Sequence, residues 1–155
     1  MSNKVHEYLN QLLADTYQLL SLTRQVHWYM RGERFSVLHP MLDDYIDEYN
    51  EDIDEVAEML IILGGSPYST LDELSANSQL EITVGDYDLS MNEQLAKLIE
   101  GLEYFDDLLG RGIDVADKAN NQPMLDMLTG MQASTEKHLW MLNAELGKAS
   151  IVAQK

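Results

Sequence analysis

The chain of 155 residues contains no cysteine, which excludes a disulfide framework and any thiolate-based zinc site. It has no apolar run long enough to span a bilayer, and the N-terminal stretch MSNKVHEYLN lacks the apolar core of a secretory leader. No membrane association and a cytoplasmic location are therefore expected. Basic residues are scarce, with 10 Lys and Arg against 27 Asp and Glu and a formal net charge of −17. A surface of that sign repels phosphate backbones, so the body of the protein is not expected to bind DNA non-specifically. The same surplus of carboxylates suits either attraction of cations or plain solubility of a helical protein, and charge alone leaves both open. A Gly-rich phosphate loop, a nucleophile elbow and a basic patch interleaved with aromatics are all missing. The length suffices for one domain, residues 1–155, with a full core.

What is present is helical periodicity. Val5, Tyr8, Leu9, Leu12, Leu13, Thr16, Leu19, Leu20 and Thr23 recur three and four apart and predict a first helix from about Lys4 to Tyr29, stopped near Gly32. A second helix is predicted over Ser36 to Leu63, with Pro40 in its first turn and Gly64-Gly65-Ser66-Pro67 as its stop. Periodicity then lapses over residues 64–89, apart from a short helix LDELSA opened by a Thr70/Glu73 capping box. A second capping box, Ser90/Glu93, opens a third long helix reaching about Ala119, and Pro123 starts a fourth that runs to Gly147. Two helix hairpins joined by a long connection predict an all-α four-helix bundle of the ferritin-like kind, its crossover carrying one short helix between the second and third long helices. Trp28 and Trp140 read as core anchors, and His6 and His138 as surface or packing residues.

The chemistry concentrates between His27 and Glu58. The fold-back at Gly32 brings His27, late in the first helix, near His39, early in the second. Asp43 lies one turn after His39, and Asp54 and Glu58 lie one turn apart. Two imidazoles with several carboxylates form a ligand set for iron, manganese or zinc. Yet His39 and Asp54 are separated by fifteen residues of one helix, roughly 22 Å along its axis. Either the two clusters are unrelated, or a second copy packs antiparallel and brings its Asp54 and Glu58 to this copy's His39. None of the four histidines follows a glutamate by three positions, which disfavours a ferritin-type di-iron centre inside one subunit. The acid pairs Asp43-Asp44, Asp47-Glu48 and Glu51-Asp52 are equally readable as a solvated face.

The segments VHWYMRG, FSVLHPMLDD, DEVAEMLIILGGSPYSTL and ASTEKHLWML, in this order and spacing, resemble the Dps mini-ferritins over nearly the whole chain. The resemblance implies hollow twelve-subunit cages whose ferroxidase centre lies between two-fold-related subunits. It assigns His27, His39 and Asp43 to one subunit and Asp54 and Glu58 to its partner. It implies oxidation of Fe(II), preferentially by hydrogen peroxide, and storage of the ferric product, with Trp28 beside the centre taking up stray oxidising equivalents. Asp117 and Asp126 match aspartates that line iron-admitting three-fold pores, with Gln122 where some relatives carry a third. Asp43 and Asp44 match inward-facing acids linked to mineral nucleation, and Pro40 stands where some relatives have another acid. DNA binding in the family usually depends on a lysine-rich flexible tail; with Lys4 read at the entry to the first helix and Lys148 and Lys155 as the basic residues after the fourth, no significant DNA binding at physiological salt is expected. A metal-sequestering cage without fast oxidation is the alternative.

Overall fold

The computed structural model describes residues 2–150. Four long helices, α1 (Ser2–Tyr29), α2 (Phe35–Ile62), α4 (Met91–Lys118) and α5 (Gln122–Glu145), and the short α3 (Leu71–Asn77) account for its regular structure, with no strand among the described residues. The four-helix reading and the short helix in the crossover are thus both borne out. α1 packs against α2 on one side and α4 on the other, α5 packs against α4, and α3 lies on α1. Lys155, part of the tail read from the sequence, lies outside the described residues.

Local signals set the helix ends. Both capping boxes form, with Thr70 and Ser90 accepting from the amides of Glu73 and Glu93 while each glutamate reaches back to its cap. These backbone bonds hold the Glu73 and Glu93 carboxyls below the ordinary glutamate range. α2 begins one residue before its predicted start, because Arg34 takes a left-handed conformation (φ 67°) that turns the chain straight into the helix. The Arg34 guanidinium then ties this corner to the ends of two other helices, donating to the Glu145 carbonyl (2.8 Å) and to Asn92 Oδ1 (3.2 Å).

The core is aliphatic, built on Leu9, Leu12, Leu19, Leu38, Leu42, Leu60, Leu95, Leu102 and Leu142, with Tyr49 and Phe105 as its large aromatics. α1 and α4 approach closely at Gly112, where a Cβ would stand 2.0 Å from the Tyr8 hydroxyl. Only hydrogen fits beside that ring, whose hydroxyl donates to the Leu108 carbonyl (3.0 Å).

The tryptophans correct the sequence reading. Trp28 is 63% exposed and Trp140 53%, so neither anchors the core of the chain. The buried stripe of α1 runs through Leu19, Leu22, Thr23, Val26 and His27, and that of α5 through Met131, Thr135, Leu139 and Leu142. Each indole falls one residue past a stripe position, about 100° around the helix, and so points outward.

The aperiodic crossover is held by polar side chains along one face of α1. Asn10 donates to the Ser66 carbonyl and accepts from the Tyr68 amide, Gln11 donates to the Asn77 carbonyl, and Gln25 donates to the Thr83 carbonyl. At their centre the fully buried Asp15 accepts from Ser78 Oγ and from the amides of Gln79 and Leu80.

Candidate metal centre

The turn at Gly32 (φ +114°) reverses the chain so that the end of α1 and the first turn of α2 face each other. His27 and His39 stack there with ring centroids 3.7 Å apart and planes 11° from parallel. The histidines exchange backbone bonds, His27 Nδ1–H donating to the His39 carbonyl and His39 Nδ1–H to the His27 carbonyl, both at 2.9 Å. A carbonyl can only accept, so each Nδ1 carries the hydrogen and each Nε2 is left as the free ring nitrogen. Metal-ligating histidines are oriented in this way, one ring nitrogen fixed by the backbone and the other presented.

Asp43, one turn beyond His39, places Oδ1 at 3.3 Å from His27 Nε2. A neutral imidazole with its hydrogen on Nδ1 offers a lone pair at Nε2, and a carboxylate offers another. Two acceptors at this separation need a positive charge between them, either a proton or a metal cation. The donor set therefore fits a cation. His27 is buried, His39 half-buried and Asp43 exposed.

Asp54 and Glu58 are exposed near the far end of α2. Because α2 is continuous from Phe35 to Ile62, the axial separation of roughly 22 Å stands. Among the described residues, no three His, Asp or Glu side chains gather closely enough to hold a metal. One chain thus sets His39 against His27 and Asp43 against His27, a partial set short of a three-ligand group, and leaves Asp54 and Glu58 remote. Trp28 follows His27 on the outer face, and Pro40 sits exposed in the first turn of α2. Asp117 closes α4 and Asp126 lies in the first turns of α5, both exposed, with Gln122 between them at the start of α5.

Two features escaped the sequence reading. The Phe35 ring stacks on His39 with centroids 4.7 Å apart, and the i, i+4 spacing of the two residues was the available signal. Midway along α2, Glu48 is not part of a solvated face. It pairs with Ser134 and His138 of α5, and His138 in turn stacks under Tyr45 at 3.7 Å. Burial pushes the Glu48 carboxyl up, but the bonds from His138 and Ser134 outweigh it and hold the group below the ordinary glutamate range. Nothing in the local sequence of α2 names a partner 86 or 90 residues away.

Asp52, one turn on, has no such partner among the described residues, and burial together with the charges of Glu48, Glu55 and Glu51 pushes it from 3.8 up to about 7. The folded protein therefore binds this proton more tightly than the unfolded chain does. The contribution to stability is full below about pH 4 and is lost as pH rises through about 7. Asp52→Asn is expected to melt at the same temperature as wild type near pH 3.5, and progressively higher as pH rises to 7, with a constant difference above. Melting curves by circular dichroism across that range test this, and parallel pH profiles would count against it.

The ferritin-like domain family matches residues 6–152. The "DNA protection during starvation protein" of Streptococcus suis strain P1/7 is 47% identical over 141 residues, covering 91% of this chain and 82% of the relative. The X-ray structure of Dps from Listeria monocytogenes superposes with a TM-score of 0.92 at 39% identity, covering 95% of this chain and 96% of that one. The structure of Dps from Listeria innocua soaked with cobalt matches equally well, with a TM-score of 0.92 at 39% identity over 95% of this chain and 94% of that one.

Proposed function

Because the chain belongs to the Dps proteins of the ferritin-like family, we propose that it is a cage-forming ferroxidase that oxidises Fe(II) with hydrogen peroxide and stores the ferric product. The observation that carries this reading is the division of ligands along α2. His27, His39 and Asp43 converge at one end, and Asp54 and Glu58 wait at the other, out of reach within one chain. An antiparallel second copy completes the set, and a two-fold pair then holds two equivalent centres.

The substrate is Fe(II). Peroxide accepts two electrons as its O–O bond breaks, one from each of two Fe(II) ions, and the products are ferric iron and water or hydroxide. The chain's own groups supply binding and orientation. The imidazole nitrogens presented by His27 and His39 hold the borderline divalent ion, and the carboxylates of Asp43, Asp54 and Glu58 favour the harder, more highly charged product. Other divalent ions such as Zn(II) or Mn(II) suit the same donors. Trp28, exposed beside His27, is placed to take up stray oxidising equivalents. Asp117 and Asp126 are assigned to iron admission through three-fold pores of a twelve-subunit, cytoplasmic cage. Among the described residues no helix is long and apolar enough to cross a membrane.

Anaerobic loading with Fe(II), then one addition of hydrogen peroxide, tests the reading. Ferric absorbance is expected to rise much faster than in buffer. If the protein binds iron but oxidises it no faster than buffer does, it is a metal-sequestering cage instead. DNA binding is not expected, since a net charge of −17 per chain multiplies over the cage. Plasmid DNA should migrate unretarded with the purified protein in the absence of divalent metal.

A further inference from the structure

The proposed centre includes an aromatic side chain that offers no ligand atom. Phe35 opens α2 one turn before His39, and their rings lie 4.7 Å apart at 24°. His39 also lies against His27 at 3.7 Å and 11°. Two rings that are both nearly parallel to a third at stacking distance cannot share one of its faces. His39 is therefore the middle ring of a stack ordered Phe35, His39, His27. Exposure rises along it, from 8% at His27 to 41% at Phe35.

The imidazole of His39 is anchored at Cγ by its own side chain and at Nδ1 by the hydrogen bond to the His27 carbonyl, which leaves its tilt to be set by what lies on its two faces. His27 lies against one face of the imidazole and Phe35 against the other, so each limits rocking toward its own side. A flat face suits this role, because a branched aliphatic side chain would fill the volume without matching the plane.

Resting on the centre proposed above, we propose that Phe35 is a positioning residue that holds His39 Nε2 in its metal-ligating direction. It acts through His39 and touches no substrate. The test is Co(II) titration of the assembled protein, following the visible absorption of the bound ion, for wild type, Phe35→Tyr, Phe35→Leu, Phe35→Ala and His39→Gly. Sedimentation and thermal melting are recorded alongside. Phe35→Leu and Phe35→Ala are expected to weaken Co(II) binding about tenfold and to shift the absorption of what binds, whereas Phe35→Tyr stays within about twofold of wild type. Assembly size should be unchanged throughout, and if Phe35→Ala does not assemble, the comparison of leucine with tyrosine carries the test. Wild-type affinity in Phe35→Leu would mean that apolar bulk suffices and would overturn the proposal. Equal weakening in leucine and tyrosine variants would overturn it too, by pointing to general damage at the start of α2. Undiminished Co(II) binding in His39→Gly would remove the centre itself, an outcome distinct from either.

Discussion

Subunits carrying His39→Gly and subunits carrying Asp54→Ala, dissociated separately and reassembled together, are expected to regain about a quarter of the wild-type rate of peroxide-driven Fe(II) oxidation, although each variant alone has lost nearly all of it. The expectation follows from α2. The His39 end and the Asp54 end lie on one unbroken helix, so a centre that uses both must draw them from two chains. In a two-fold pair of His39→Gly subunits both centres lack the imidazole, and in a pair of Asp54→Ala subunits both lack the carboxylate. A mixed pair concentrates both lesions in one centre and leaves the other whole. Random pairing makes half the pairs mixed and half the centres in those pairs intact, hence about a quarter overall. Ferric absorbance after peroxide addition is the readout. Activity that stays lost in a correctly reassembled mixture would mean that the two ends of α2 serve separate sites. Full activity in either single variant would remove that residue from the centre.

Asp15→Ala is expected to be the most destabilising single change among the α1 residues that hold the crossover, by about 4 kcal/mol, since hydrogen bonds to a charged group each contribute about 1.5–3 kcal/mol and are not additive. The carboxylate is fully buried and serves five donors. Oδ1 accepts from Ser78 Oγ (2.8 Å) and from the amides of Gln79 (2.7 Å) and Leu80 (3.0 Å). Oδ2 accepts from Gln11 Nε2 (2.9 Å) and Tyr104 Oη (2.6 Å). The Tyr104 hydroxyl is pushed well above its ordinary range, first by burial and then by this bond. Alanine would strand the donors of three elements at once. Asp15→Asn keeps one acceptor oxygen for the crossover amides and should cost much less. A fall in melting temperature of roughly 12 °C for alanine corresponds to the stated free energy in a chain of this size. A fall of only one or two degrees would show that Asn10, Gln11 and Gln25 hold the crossover without Asp15.

These two residues also mark what was legible in the sequence. The ends of α2 could be read because helix geometry converts residue spacing into distance, and the fold-back at Gly32 follows from a short loop between two long periodic stretches. The Thr70 and Ser90 boxes were equally local and both formed. Asp15 was not legible, because it sits inside an apolar stripe and its donors come from a segment with no period. Glu48 was hidden for a related reason, its partners being on α5, so a row of acids on α2 looked like a solvated face. The outward Trp28 and Trp140 show the opposite error. Side-chain size suggested burial, whereas the stripe positions beside them had already fixed which way each indole points. At the centre, the stacking of His27 on His39 was foreseen only as nearness. Its tautomer-setting bonds depend on backbone carbonyls, which carry no signature in the side-chain sequence.

The unbroken α2 has a consequence for how this protein can vary. In the proposed pair the same helix from each subunit supplies half of both centres, so the helix works as a ruler. Inserting one residue anywhere between His39 and Asp54 advances the far carboxylates by about 1.5 Å and swings them by about 100°. Because the pair is symmetric, one such insertion would misalign both centres together, while each subunit could still fold. Length changes compatible with activity are therefore confined to segments outside His39–Glu58, and related sequences that keep both ligand clusters should keep the number of residues between them.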